Sequence, residues 1–164
     1  MSTLQQAKTE NRPEVNGTSG DFVTFTIAGQ LFGVPVLAVQ DVLRPQAITR
    51  IPMAPKEILG SLNLRGRIVT VVDTRHRLGL PKAETNEQPM SIVVPHGDDL
   101  FSLAVDKVGE VLSPNPQSFE SNPPTLDLAW REVANGIYRL KDELLVVIDV
   151  ARLLRLGNAA AHAA

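Results

Sequence analysis

The chain repeats itself. Leu31-Phe32-Gly33-Val34-Pro35-Val36 is matched by Leu100-Phe101-Ser102-Leu103-Ala104-Val105, and the register continues through Val39, Val42 and Leu43 against Val108, Val111 and Leu112, every pair 69 positions apart. In the same register Asp41 falls opposite Glu110. A second block follows at a spacing of 76: Gly60, Leu64, Val71, Asp73, Leu78 and Leu80 against Gly136, Leu140, Val147, Asp149, Leu154 and Leu156. The second copy therefore carries seven extra residues between its blocks, and the Pro-rich stretch Ser113–Leu128 is the natural place for them. Chance coincidence among common Val and Leu is the competing explanation, but Gly and Asp recurring at fixed offsets favour duplication.

Each copy reads as β-rich. Val23, Phe25 and Ile27 alternate with Thr24 and Thr26, the period of a half-buried strand. The turn Ala28-Gly29-Gln30 then leads into Leu31–Val34, a hairpin pattern, and Ser91–Pro95 and Leu100–Val105 flank His96-Gly97-Asp98-Asp99 in the same way. Ile68–Val72 and Leu144–Ile148 are continuous apolar runs, expected as strands buried on both faces. Each run ends at an Asp, Asp73 or Asp149, placed to cap a short helical segment by accepting from its free backbone N–H groups. The expected fold class is all-β, two small antiparallel barrels with short capping helices, because closure removes exposed strand edges.

Composition sets the outer bounds. The 164 residues suit one domain or two small subdomains, with a polar N-terminal tail at 1–20, a folded region at 21–156 and a C-terminal tail at 157–164. Cysteine is absent, which excludes disulfides, thiolate zinc sites and cysteine nucleophiles. A net charge of −2 and 4% aromatic residues argue against nucleic acid as a partner. Stretches such as Leu144–Ile148 are far shorter than the roughly 20 apolar residues a membrane helix needs, so no direct membrane insertion is expected.

Catalytic and cofactor signals are weak. His76, His96 and His162 have no metal-ligand companion at helical spacing, and read as exposed histidines. Neither nucleotide-binding glycine motif is present, and no nucleophile elbow. Asp98 and Asp99 read as a solvated turn, with Asp127, Glu132, Asp142 and Glu143 scattered on loops. No catalytic residue, metal ligand or cofactor is expected. What stands out is Leu62-Asn63-Leu64-Arg65-Gly66-Arg67, between two expected strands, with Gly66 suited to a positive-φ turn. It reads either as a plain hairpin turn with solvated arginines, or as a rigid mount presenting Arg65 to a partner. From the residues alone the two readings stand level.

The same residues carry a family resemblance. Ser61–Gly66 followed by Ile68–Arg75 resembles the NLRG and P-V-D-L-R signature of CheW-like domains. Phe32–Val36, Val39-Gln40-Asp41-Val42, Ile51-Pro52 and Ile58-Leu59-Gly60 resemble its upstream motifs, and Ala104–Val108 and Leu144–Asp149 fit in the second half. The resemblance spans about 21–156, with Asp41 standing for the usual Glu, Thr70 for Pro and Thr74 for Leu. It implies two five-stranded barrel subdomains within one domain. It also implies a cytoplasmic, non-enzymatic adaptor at receptor arrays, which binds the tip of methyl-accepting chemoreceptors and the CheW-like regulatory domain of the histidine kinase CheA. Ring assembly with the kinase is part of that expectation. An adaptor of a non-flagellar chemosensory pathway, such as twitching motility, is the alternative. A small β-barrel ligand-binding module is a more distant one. By motif, Arg65 takes the coupling arginine's role and Asp41 that of its acidic partner, with an ion pair expected between them. Val39, Val42 and Leu64 are expected around them, either as the apolar centre of a contact patch or, for at least some of the three, as buried core, with Gly66 in the turn.

Overall fold

The computed structural model describes residues 20–84, 87–121 and 123–155. Most of the two expected tails, and with them His162 and Leu156, lie outside the described residues. Eleven strands form, in order β1 (Phe22–Ile27), β2 (Gln30–Pro35), β3 (Asp41–Leu43), β4 (Ile58–Leu64), β5 (Arg67–Asp73), β6 (Met90–His96), β7 (Asp99–Val105), β8 (Lys107–Leu112), β9 (Phe119–Glu120), β10 (Ala134–Arg139) and β11 (Leu144–Ile148). Three short helices accompany them: α1 (Thr74–Arg77), α2 (Leu128–Val133) and α3 (Val150–Leu153). Asp73 and Asp149 cap α1 and α3, each accepting from a backbone N–H three residues on, His76 and Arg152 respectively, at 3.1 Å.

The strands make two sheets, one ordered β8-β1-β2-β11-β10-β9 and the other β3-β6-β7-β5-β4. Each sheet combines strands of both copies. The β1–β2 hairpin of the first copy joins β10 and β11 of the second, while β6–β7 of the second joins β4 and β5 of the first. Copies of this size bury too little surface to stand alone, and exchange lets each complete the other. The exchange also brings one parallel pair into each sheet, β2 with β11 and β5 with β7, where all-antiparallel barrels were expected. Val146 beside Phe32 and Thr70 beside Phe101 are the same pairing under the two sequence offsets.

Neither sheet closes fully by hydrogen bonding among the described residues. Instead, the chain leaving β3 returns to the β4 edge, where Thr49 bridges Ser61. In the other sheet the equivalent crossing is regular enough to count as β9, with Glu120 beside Ile137. This is why one sheet has six strands and the other five. Both crossings pass over a glycine in a bulge, Gly60 or Gly136, 76 positions apart and both at φ +156°. A Cβ at Gly60 would lie 2.2 Å from the Thr49 carbonyl oxygen, and one at Gly136 would lie 2.5 Å from that of Glu120.

Three apolar cores follow from strand alternation. Leu62, Val69, Val71, Val93, Leu100 and Ala104 fill the concave side of the five-stranded sheet. Phe22, Tyr138, Leu145 and Val147 fill that of the six-stranded one. The opposite faces share a third core, in which Phe25, Phe32, Val146 and Ile148 meet Val72, Ile92, Leu103 and Val105. Burial pushes the Tyr138 phenol above its ordinary 10.0.

Two sequence expectations need correction. Ile68–Val72 is not buried throughout: Val72 reaches the shared core, Thr70 is half-buried and Ile68 is 67% exposed, because the second sheet covers only the far end of β5. Glu132 lies in α2 and not on a loop. Asp127 caps that helix, accepting from the Ala129 N–H at 2.9 Å, and the Trp130 indole donates to the Leu78 carbonyl, also at 2.9 Å.

Candidate functional site

The expected residues gather at the seam where the two edge strands of the five-stranded sheet, β3 and β4, approach each other. β4 and β5 are joined by a two-residue turn, since Leu64 pairs with Arg67 and only Arg65 and Gly66 lie between. Both have positive φ, +51° at Arg65 and +87° at Gly66, the signature of a type I′ hairpin turn. Gly66 takes that conformation freely. Arg65 does so at a cost of about 1 kcal/mol or more.

Across from the turn, Asp41 opens β3. One carboxylate oxygen, Oδ1, accepts from the Val42 backbone N–H at 2.9 Å. The other, Oδ2, faces Arg65 Nη2 at 3.5 Å. The carboxylate is therefore oriented by the backbone and offers its free oxygen to the guanidinium. Asp41 is 26% exposed and Arg65 81% exposed. A pair so open to water adds only about 0–1 kcal/mol to stability. Its effect is to orient a guanidinium most of whose donors point outward, ready for a planar acceptor on another molecule.

The apolar companions divide. Val42 is 39% exposed and contributes to the surface. Val39 packs on the shared core and Leu64 on the concave core, so both mainly support the site from behind. Asn63 was passed over as a side chain with a role of its own. Its Oδ1 accepts from the Gly66 backbone N–H at 2.9 Å, tying the turn shut. The Asn three residues before Gly was the available signal.

Elsewhere the surface offers two clefts at equivalent places in the two copies. One cleft of about 430 Å³ is lined by Arg50, Leu59, Asp73, Arg75 and Asp106 among others. Another of about 590 Å³ is lined by Pro35, Ser121, Asn135, Asp149 and Ala151 among others. The sequence offsets carry one onto the other: Leu59 onto Asn135, Asp73 onto Asp149, Arg75 onto Ala151. One arginine in each is taken up internally, Arg75 by Asp106 at 2.6 Å and Arg152 by Asp149 at 3.3 Å. Among the described residues no group of three or more His, Asp or Glu side chains is placed to hold a metal ion. No helix among them is long and apolar enough to cross a membrane.

Comparison with known proteins agrees with this architecture. The family model for the CheW-like domain matches residues 21–157. The chain is 25% identical over 151 residues to the chemotaxis protein CheW of Helicobacter pylori, covering 92% of this chain and 91% of that one. It is 29% identical over 134 residues to CheW of Klebsiella aerogenes, covering 82% and 81%. The crystal structure of the scaffolding protein TtCheW from Thermoanaerobacter tengcongensis superposes with a TM-score of 0.69 at 32% identity, covering 79% of this chain and 88% of that one. The chain belongs to the CheW-like domain family and, like the CheW proteins of that family, is a non-enzymatic chemotaxis scaffold.

Proposed function

We propose that this chain couples methyl-accepting chemoreceptors to the histidine kinase CheA in the cytoplasm, and that the Asp41–Arg65 seam between β3 and the β4–β5 turn is a contact face for that coupling. The observation that carries the reading is the mounting of Arg65. An arginine held at positive φ in its turn, with an oriented carboxylate 3.5 Å away, presents a side chain that is 81% exposed and does little for folding. Structure spent on orienting an exposed cation is explained by something outside the chain that receives it. Val42 beside it supplies an apolar contact at the centre of such a patch. Two related sheets also present two related edges, so head-to-tail contacts with the kinase's own CheW-like domain can propagate into a ring.

The test is co-sedimentation of the purified chain with receptor-containing membranes and with the purified kinase, for the native chain, Asp41→Ala and Arg65→Glu. The native chain is expected to bind both partners, and Arg65→Glu to bind at least one of them at least tenfold more weakly. Native binding by both variants removes the face from the proposal. No binding by the native chain removes the coupling itself. Capture of a receptor and kinase from a non-flagellar chemosensory system would move the same scaffold to that pathway.

A further inference from the structure

We infer that Asn63 is a positioning residue for Arg65: its side-chain amide oxygen locks the turn that aims the guanidinium at a partner. The inference rests on the reading of Arg65 as a partner contact and names what holds it there. Three observations carry it. First, Asn63 Oδ1 accepts from the Gly66 N–H at 2.9 Å, a bond inside the turn and additional to the Leu64–Arg67 strand pairing. Second, Asn63 is exposed and belongs to none of the apolar cores, so this bond is its visible structural contribution. Third, the duplicated half provides an internal comparison. The positions 76 residues on are Arg139, which ends β10, and Leu140, Lys141 and Asp142, in the turn that leads to β11. There an Arg replaces the Asn, and its guanidinium bonds Glu120 at 2.9 Å. Neither Lys141 nor Asp142 has positive φ.

Hairpin turns at equivalent positions of the two copies thus differ, with two residues between the paired strands in the first and four in the second, and the one that puts an arginine at positive φ coincides with the amide lock and the Asp41 pair. An Arg at positive φ relaxes when it can, because the left-handed region is unfavourable for a residue with a Cβ. With the lock released, the guanidinium samples positions away from Asp41. The fraction poised for a partner falls, and apparent affinity falls with it.

The experiment compares Asn63→Ala, which removes the acceptor, Asn63→Asp, which keeps it, Arg65→Ala, and the Asn63→Ala/Arg65→Ala double variant. Each is measured for kinase and receptor binding, and for Gly66 amide hydrogen exchange by NMR. One neutral hydrogen bond corresponds to an expected affinity loss of roughly 3- to 10-fold for Asn63→Ala, with faster Gly66 exchange. Asn63→Asp is expected to stay within about twofold of native. Since Asn63 acts through Arg65, its removal is expected to cost nothing further once Arg65 is already Ala. Full native binding by Asn63→Ala while Arg65→Ala is impaired overturns the inference alone. So does an undiminished Asn63→Ala effect in the Arg65→Ala background, which would mark a general structural role. Native binding by Arg65→Ala overturns the contact reading and the inference with it, and Gly66 exchange then reports whether the turn lock exists by itself.

Discussion

Placing a methyl group on Gly60 tests both how the five-stranded sheet is completed and whether that completion supports the Arg65 face. In Gly60→Ala the new Cβ falls 2.2 Å from the Thr49 carbonyl oxygen and 2.9 Å from Ile48 Cγ2. Ordinary contact demands that the crossing chain withdraw by about 1 Å. That same carbonyl accepts from the Ser61 N–H at 2.8 Å, and the Thr49 N–H donates back to Ser61 at 2.8 Å, so withdrawal breaks the bridge. Two backbone hydrogen bonds at about 1 kcal/mol each, with about 1–3 kcal/mol for an Ala forced into a glycine conformation, give a loss of about 3–5 kcal/mol. In a domain of this size 1 kcal/mol corresponds to roughly 3–5 °C, so Tm is expected to fall by roughly 10 °C or more.

Gly136→Ala makes the matching change in the other sheet, against Glu120 and Phe119 at 2.5 Å, and is expected to cost about as much. The two variants separate stability from function. Only Gly60 lies where the displaced segment connects β3, bearing Asp41, to the edge of β4, which leads to Arg65. Calorimetry gives the Tm values, and partner binding is then compared at a temperature where both variants are folded. Binding is expected to weaken in Gly60→Ala and to hold in Gly136→Ala. Equal loss of binding in both, or a Tm change under about 2 °C in either, refutes the reasoning.

Other outcomes follow from particular buried groups. Thr74 and Ser102 are fully buried, and their hydroxyl oxygens find no hydrogen-bond partner among the described residues. Thr74→Val, which installs the side chain found at the equivalent Val150, and Ser102→Ala are each expected to raise stability by about 1 kcal/mol in urea titrations. A loss in both would mean that ordered water or a local rearrangement satisfies the hydroxyls. Tyr138 binds its proton more tightly folded than unfolded, so its stabilising contribution is complete below pH 10.0 and is lost as pH rises through the higher folded value. Tyr138→Phe is expected to flatten that alkaline loss, and an unchanged slope above pH 10 in denaturant titrations would assign it to other groups. Arg77 donates to the carbonyls of Leu153 at 2.8 Å and Arg152 at 2.9 Å, at the end of α3. Arg77→Met is expected to cost about 1.5–3 kcal/mol in the same titrations, and a change within error would show that water replaces both bonds.

The sequence spelled out much of this because duplication gives each motif a second witness. The offset of 76 places Gly60 with Gly136 and Asp73 with Asp149, and the structure gives each pair the same job. What the sequence did not reveal was partnership between the copies. A hairpin pattern is local, whereas the choice of β11 over β5 as neighbour of β2 is decided by which combination buries Phe32. Helix α2 was missed because six residues give less than two turns of periodicity. At the site, the identities of Asp41 and Arg65 were legible. The role of Asn63 was not, since it depends on a hydrogen bond across a turn and not on a side-chain pattern.

The strand exchange bears directly on what a scaffold must do, which is to hold its contact faces at a fixed separation. Two barrels joined by a linker would let those faces drift. Here, pulling the sheets apart would break no interstrand ladder, yet it would expose Phe25, Phe32, Ile92, Leu103 and Val105, all at or below 1% exposure. At about 25 cal/mol per Å2 of apolar surface, those five side chains alone oppose separation by on the order of 10 kcal/mol. The chain also crosses between the sheets twice, from β2 to β3 in the first copy and from β7 to β8 in the second, so separation strains the connections as well. Residues private to one copy tighten the junction: Arg77 of the first grips the end of α3, and Trp130 of the second bonds the end of α1 and packs edge-on against Phe32 at 5.3 Å. A duplicated domain that had kept its copies separate would have had two faces and no fixed angle between them. Exchange makes one domain of the duplication, its sheets joined by a shared core, and on the proposed reading a partner at the β3–β4 seam is held in register with whatever the six-stranded sheet contacts.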